Sequence, residues 1–320
     1  MRPSWYSIKR RGVVMIGAAL VVAPTVSRVV ASPPPVRDIV FARRPADRTA
    51  PLRLWRMGPD GSNPRPFVAD TAGLGTMNMP DWSPDGRQLL FVGGVENASL
   101  AIFVAGADGS GVKRIGPPGF AVVVWPAWSP NGREVLFSAG PSLSAYSIYV
   151  MSADGSNVRR LTFGDGMQNC GRWSPDGSRI IFASHRGGPV QLVMMRRDGS
   201  SQELLVPSDY GGDCGDWSPD GKRFVFFSQD SLRNASLVQF TASLYVIDVE
   251  SRAISPLMHL AGVSARPRWS PDGRRIAFHS KSSVGPVAPR TDFQIYTVNA
   301  DGSDLKRLTN NQMIDVHPVW

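Results

Sequence analysis

The chain has 320 residues, of which 42% are hydrophobic, enough to bury a sizeable core in one large domain or two average ones. Its formal charge of +9 is misleading: Arg2, Lys9, Arg10, Arg11 and Arg28 fall in the first 31 residues with no acid among them, leaving 30 basic against 26 acidic residues in the remainder. The remaining basic residues form no stripe interleaved with aromatics, so nucleic acid is excluded as an expected partner.

In chain order, the first element reads as a targeting segment. Lys9-Arg10-Arg11 is a basic start, residues 12–23 are uncharged and mostly apolar, and Val29-Val30-Ala31 places small residues before Ser32. Residues 1–31 are therefore expected to be a signal peptide, with an uncleaved anchor over residues 12–30 as the alternative. The apolar run is shorter than the roughly 20 residues of a membrane span, and no second candidate span follows. The expected location is periplasmic or extracellular. Residues 32–37 read as a short linker and 38–320 as one domain.

That domain is organised by a repeat. Trp82-Ser83-Pro84-Asp85-Gly86 returns at Trp128, where Asn131 replaces the Asp, and again at Trp173, Trp217 and Trp269; Trp320 ends the chain. Between these lies a second motif, Asp-Gly-Ser, at Asp60, Asp108, Asp154, Asp198 and Asp301; the fifth unit has Asp248-Val249-Glu250-Ser251 instead. In Ser-Pro-Asp-Gly, Pro presets φ, Asp bonds to nearby backbone and Gly accepts positive φ, so a turn is expected. Apolar runs follow at 89–92, 135–137, 180–182, 224–227 and 276–278, then strands at 101–104, 147–151, 191–195, 244–247 and 294–298, and Asp-Gly turns the chain into a fourth strand. Four antiparallel strands repeated every 44–52 residues are the signature of a propeller blade.

The ends complete the count. Residues 39–42, 52–57 and 65–68 are strands two to four of a blade that lacks its first; residues 316–320 are a first strand that lacks its blade. The expected fold is all-β: a six-bladed β-propeller of four-stranded antiparallel blades, closed by pairing of the N- and C-terminal segments, with each Trp buried between neighbouring blades.

These motifs resemble the TolB-like propeller repeats, the WD-like "PD" class, over about residues 38–320. Tyr149-Val150-Met151 with Asp154-Gly155-Ser156 is the best match to the family's third-strand hairpin. The resemblance implies a protein-binding propeller; in that family the mouth of the channel receives an envelope lipoprotein. With residues 32–37 read as a short linker, the α/β domain that precedes the propeller in the family's founding member is expected to be absent.

A site on such a fold is expected among the loops joining one blade to the next, because these vary while the rest of the repeat does not. The position three before each Trp, which should face the channel, reads Met79, Trp125, Cys170, Cys214, Arg266 and His317. With Asn78, Asp81, Asn169, Asp213, Asp216 and Arg268 they make a candidate rim, acidic near Asp213 and Asp216 and basic near Arg266 and Arg268, suited to a peptide or protein terminus. The alternative is a solvated loop surface. Cys170 and Cys214 stand at equivalent positions of consecutive blades, so a disulfide between blades is the favoured reading for an exported protein, with two free thiols as the alternative. No metal-ligand spacing, phosphate-binding loop, Gly-x-Ser-x-Gly or His-Glu-x-x-His is present. No cofactor is expected, His279 reads as an ordinary structural histidine, and a monomer is expected. The leading function is an exported interaction module for a protein or peptide. The alternative is a carbohydrate- or lactone-directed enzyme or small-molecule binder using rim carboxylates.

Overall fold

The computed structural model describes residues 37–68, 73–94, 99–142, 144–186, 189–229, 242–260, 264–281 and 292–320. The expected signal peptide and the linker up to residue 36 lie outside them. Among the described residues there is no helix, and none long and apolar enough to cross a membrane.

Six four-stranded antiparallel sheets form a six-bladed β-propeller. The inner strands of blades 1 to 5 are Met77–Trp82, Val122–Trp128, Gln168–Trp173, Gly212–Trp217 and Ser264–Trp269. In each of these blades the following three strands pair outward in sequence order. Blade 6 takes its inner strand, Met313–Val319, from the end of the chain and its other three, Ile39–Pro45, Arg53–Met57 and Arg65–Pro66, from the beginning. The closing register places Val40 opposite Val319, Ala42 opposite Val316 and Arg43 opposite Asp315. Closure of this kind leaves no inner edge unpaired.

The repeated motifs serve as the sequence suggests. In the Ser-Pro-Asp-Gly turn after Trp173, the Ser174 hydroxyl donates to Asp176, while Asp176 accepts the Ser178 N–H and Ser174 Oγ accepts the Arg179 N–H. Each Asp-Gly-Ser turn is closed by its own serine, as where Asp154 accepts the N–H (2.9 Å) and hydroxyl (2.6 Å) of Ser156. Its glycine also abuts the neighbouring blade: Gly155 has φ +90°, and a Cβ there would meet the carbonyl oxygen of Ile115. Blade 4, which lacks the motif, turns one residue wider through Asp248 and Ser251 and carries a longer outer strand, Ile254–Leu260, in place of the two-residue strands elsewhere.

The core is divided into six apolar clusters, one at each junction between blades. Trp128, for instance, packs with Leu90 and Ile102 of blade 1 and with Phe137 of its own blade, and Trp320 with Ala277 and Ile295 of blade 5. Five of the six tryptophans are buried and Trp82 is half-buried. Flat rings between flat sheets remove much apolar area from water.

Candidate functional site

Every inner strand carries a bulge, an extra residue just before its end. At Met79, Trp125, Cys170, Arg266 and His317 this residue lies in the left-handed region, with φ from 54° to 62°, and in four of these five the next residue is proline. Proline disfavours right-handed helical backbone in the residue before it, and a bulge re-aims a side chain. The consequence is that Met79, Trp125, Cys170, Cys214, Arg266 and His317 converge on one small cavity at the channel axis, with about 20 Å³ of free space. That holds about one water molecule, so the channel is filled at this level.

Beside this ring, the residue immediately before the Trp contributes a second layer. Arg172 Nη1 donates to Asp81 Oδ1 at 3.0 Å, Arg268 Nη2 lies 3.2 Å from the same oxygen, and Arg268 Nη1 lies 3.6 Å from Asp216 Oδ1. The other oxygens of Asp81 and Asp216 accept the backbone N–H of Trp128 and Trp269. Two acids and two arginines from blades 1, 3, 4 and 5 thus form one buried network of paired charges. Burial pushes both carboxyls up, Asp216 to about 7, against the pull of Arg172.

Arg266 is treated differently. Its guanidinium stacks over the Trp125 ring, Cζ 3.3 Å from the centroid, and among the described residues its sheltered Nη1 has no hydrogen-bond partner. Burial lowers it to about 9, against the pull of Asp213, so it remains charged at neutral pH. Next to it, the His317 ring meets both Trp125 and His279 edge-to-face, faces Asn78 Oδ1 through Nδ1, and its backbone N–H donates to His279 Nδ1 at 3.3 Å. Burial, reinforced by Arg266, holds both histidines well below 6.5 and therefore neutral.

Above this ring a pocket of about 560 Å³ opens between blades 5 and 6. Arg44, Arg48, Arg266 and Lys281 line it, and among the described residues none of them has an ion-pair partner; Asp292 is its one carboxylate. Leu52, Phe293, Ile314 and Val316 supply apolar wall.

The expected rim is therefore partly rearranged. The six positions before the Trp do come together. The expected division into an acidic and a basic side is corrected: Asp216 and Arg268 are partners, and Asp81 completes their network, because opposite charges in a closed channel neutralise each other. Asp213 caps the Cys214 N–H (2.7 Å), and Asn169 is buried with Oδ1 unpartnered. Cys170 and Cys214 have Cα atoms 5.2 Å apart and sulfurs in bonding contact, so among the described residues Asp213 beside them is joined by no second free ligand for a metal. Arg172 was missed, although its place before a Trp, equivalent to those of Asp81, Asp216 and Arg268, marks it. His279 proves to line the pocket, and Arg44 and Lys281 carry no motif that singles them out.

A family model for the TolB β-propeller domain matches residues 38–240. Among solved structures, TolB from Acinetobacter baumannii superposes with a TM-score of 0.70 at 22% identity, covering 88% of this chain and 65% of that one. An oligogalacturonate lyase from Vibrio parahaemolyticus gives 0.54 at 14% identity, covering 77% and 71%. At such identities the likeness concerns the fold alone. An uncharacterized peptidase of Bacillus subtilis, YuxL, is 30% identical over 81 residues, which span 25% of this chain and only 11% of the peptidase. With the matched model covering well over half of its length, the chain belongs to the TolB β-propeller domain family.

Proposed function

We propose that this chain is an exported interaction module that holds a protein or peptide partner at the channel mouth, an envelope lipoprotein being the finer candidate. Family membership supports a protein-binding propeller. The observation that carries the reading is the contrast between the two ends of the molecule. At the Ser-Pro-Asp-Gly and Asp-Gly-Ser turns, acids are satisfied by their own serines; at the mouth, cations from two blades converge with no ion-pair partner among the described residues. Loops positioned by a rigid scaffold are where binding residues are placed. Binding is favoured over catalysis because Asp81 and Asp216, the carboxylates at the channel axis, are already taken up by arginines.

The test is a pull-down with the full chain as bait against envelope and secreted fractions, alongside the triple variant Arg44→Gln, Arg266→Gln, Lys281→Gln. These positions lie outside the network of Asp81, Arg172, Asp216 and Arg268, and circular dichroism checks that the variant is folded. A partner held by the wild type and lost by the variant supports the reading; equal capture by both removes the mouth as the site. N-terminal sequencing of the chain recovered from the envelope fraction tests export: a start at Ser32 supports it.

A further inference from the structure

Charged groups elsewhere in the channel are compensated with care. Asp81, Arg172, Asp216 and Arg268 pair with one another, and Arg43 is held by Asp315. Against that background two donors stand out. Arg266 Nη1 in blade 5 and Arg44 Nε in blade 6 are both sheltered from solvent, both without an acceptor among the described residues, and both belong to residues lining the same pocket. Asp213 lies near enough to act on Arg266, but it makes no hydrogen bond to it, and a sheltered guanidinium N–H left without an acceptor is costly.

We propose that this pocket is a carboxylate site, built to take the free C-terminal carboxylate of a peptide ending in an apolar residue. The inference rests on the reading of the mouth as a peptide-binding site. Three features select the ligand. Guanidinium groups match planar two-oxygen anions, and the stack on Trp125 fixes the plane of Arg266 without using its donors. The walls formed by Leu52, Phe293, Ile314 and Val316 suit an apolar terminal side chain. Asp292, at the same pocket, disfavours a phosphate dianion more than a carboxylate monoanion. A volume of about 560 Å³ falls in the range of small-ligand sites and accommodates a few residues.

The test is calorimetric titration of the full chain with N-acetyl tetrapeptides ending in Leu or Phe, each as free acid and as amide, with 3-phenylpropionate and inorganic phosphate as further probes. The free acids are expected to bind, the amides to bind at least about tenfold more weakly, and Arg44→Gln and Arg266→Gln each to cost the acids about tenfold or more. Circular dichroism melts check that each variant is folded, and Arg44→Gln, away from the channel axis, serves if Arg266→Gln is not. Binding of 3-phenylpropionate alone, without peptide, overturns the peptide part of the proposal. Equal binding of acid and amide, preference for phosphate, or unchanged affinity in both variants overturns the carboxylate site itself. If no peptide binds, yet a pull-down partner is held by the wild type and lost with the triple variant, the mouth reading stands and this inference falls.

Discussion

Arg43 and Asp315, 272 residues apart, are joined by two hydrogen bonds of 2.6 and 2.8 Å across the strand pair that closes the ring. Both are buried, and the Arg43 guanidinium also lies over the rings of Phe41 and Trp55. Removing one partner leaves an uncompensated buried charge. Arg43→Ala is expected to lose about 3–5 kcal/mol in urea unfolding, whereas the double change Arg43→Met, Asp315→Leu should recover much of it. An unaltered midpoint in the single variant would show that closure does not depend on this pair.

Gly155 combines φ +90° with a carbonyl oxygen of the next blade where a Cβ would stand, while Gly111, at φ +63°, has open space around it. Gly155→Ala should therefore destabilise by more than about 1 kcal/mol, and clearly more than Gly111→Ala. Thermal melts of the two variants side by side decide whether the Asp-Gly turn acts as a contact between blades as well as a turn.

Asp216 titrates at about 7 in the folded chain and near 3.8 when unfolded. A carboxyl raised in this way contributes stability that is complete below pH 3.8 and is lost as pH rises through 7. The stability of the wild type relative to Asp216→Asn should fall between those limits and level off above them. Urea unfolding at pH 4.5, 6 and 8 measures the difference; a flat difference contradicts the burial of this group.

His279 gives the opposite sign. Its folded-state pKa lies well below 6.5, so below pH 6.5 the unfolded chain takes up a proton that the folded one does not. Stability is lost as pH falls. His279→Gln should be less sensitive to acid than the wild type over pH 6.5 to 5, read from the same unfolding curves.

With Cys170 and Cys214 bridged, the oxidised, denatured protein is expected to show no reactive thiol. For a separation of 44 residues, replacing both by Ala should lower stability by up to about 4 kcal/mol. Two titratable thiols would leave the contact between these blades non-covalent.

The blades were legible because turn chemistry is local: Ser-Pro-Asp-Gly and Asp-Gly-Ser specify their own hydrogen bonds within five residues, and their period sets the number of blades. The convergence of Met79, Trp125, Cys170, Cys214, Arg266 and His317 followed from the same period. What the repeat does not encode is which charges neutralise which. Arg172 reaches Asp81 across 91 positions of sequence, and only the closed ring brings them together. Arg44 was hidden for a related reason. It belongs to an apolar strand of the one blade whose inner strand is drawn from the far end of the chain, so its neighbours at the mouth, Arg266 and His317, are remote in sequence.

Blade 6 has a consequence for synthesis. Its inner strand, Met313–Val319, is made after every other described strand. At about 5–20 residues per second, the 272 residues between Arg43 and Asp315 take on the order of tens of seconds to emerge. Throughout that interval the backbone edge of Ile39–Pro45 has no partner within the nascent chain, and such an edge can recruit strands from other molecules. Arg43 and Arg44 lie on this edge, and charge on an edge strand discourages wrong pairing. The residue that locks the finished ring is thus also placed to guard it while it is still open.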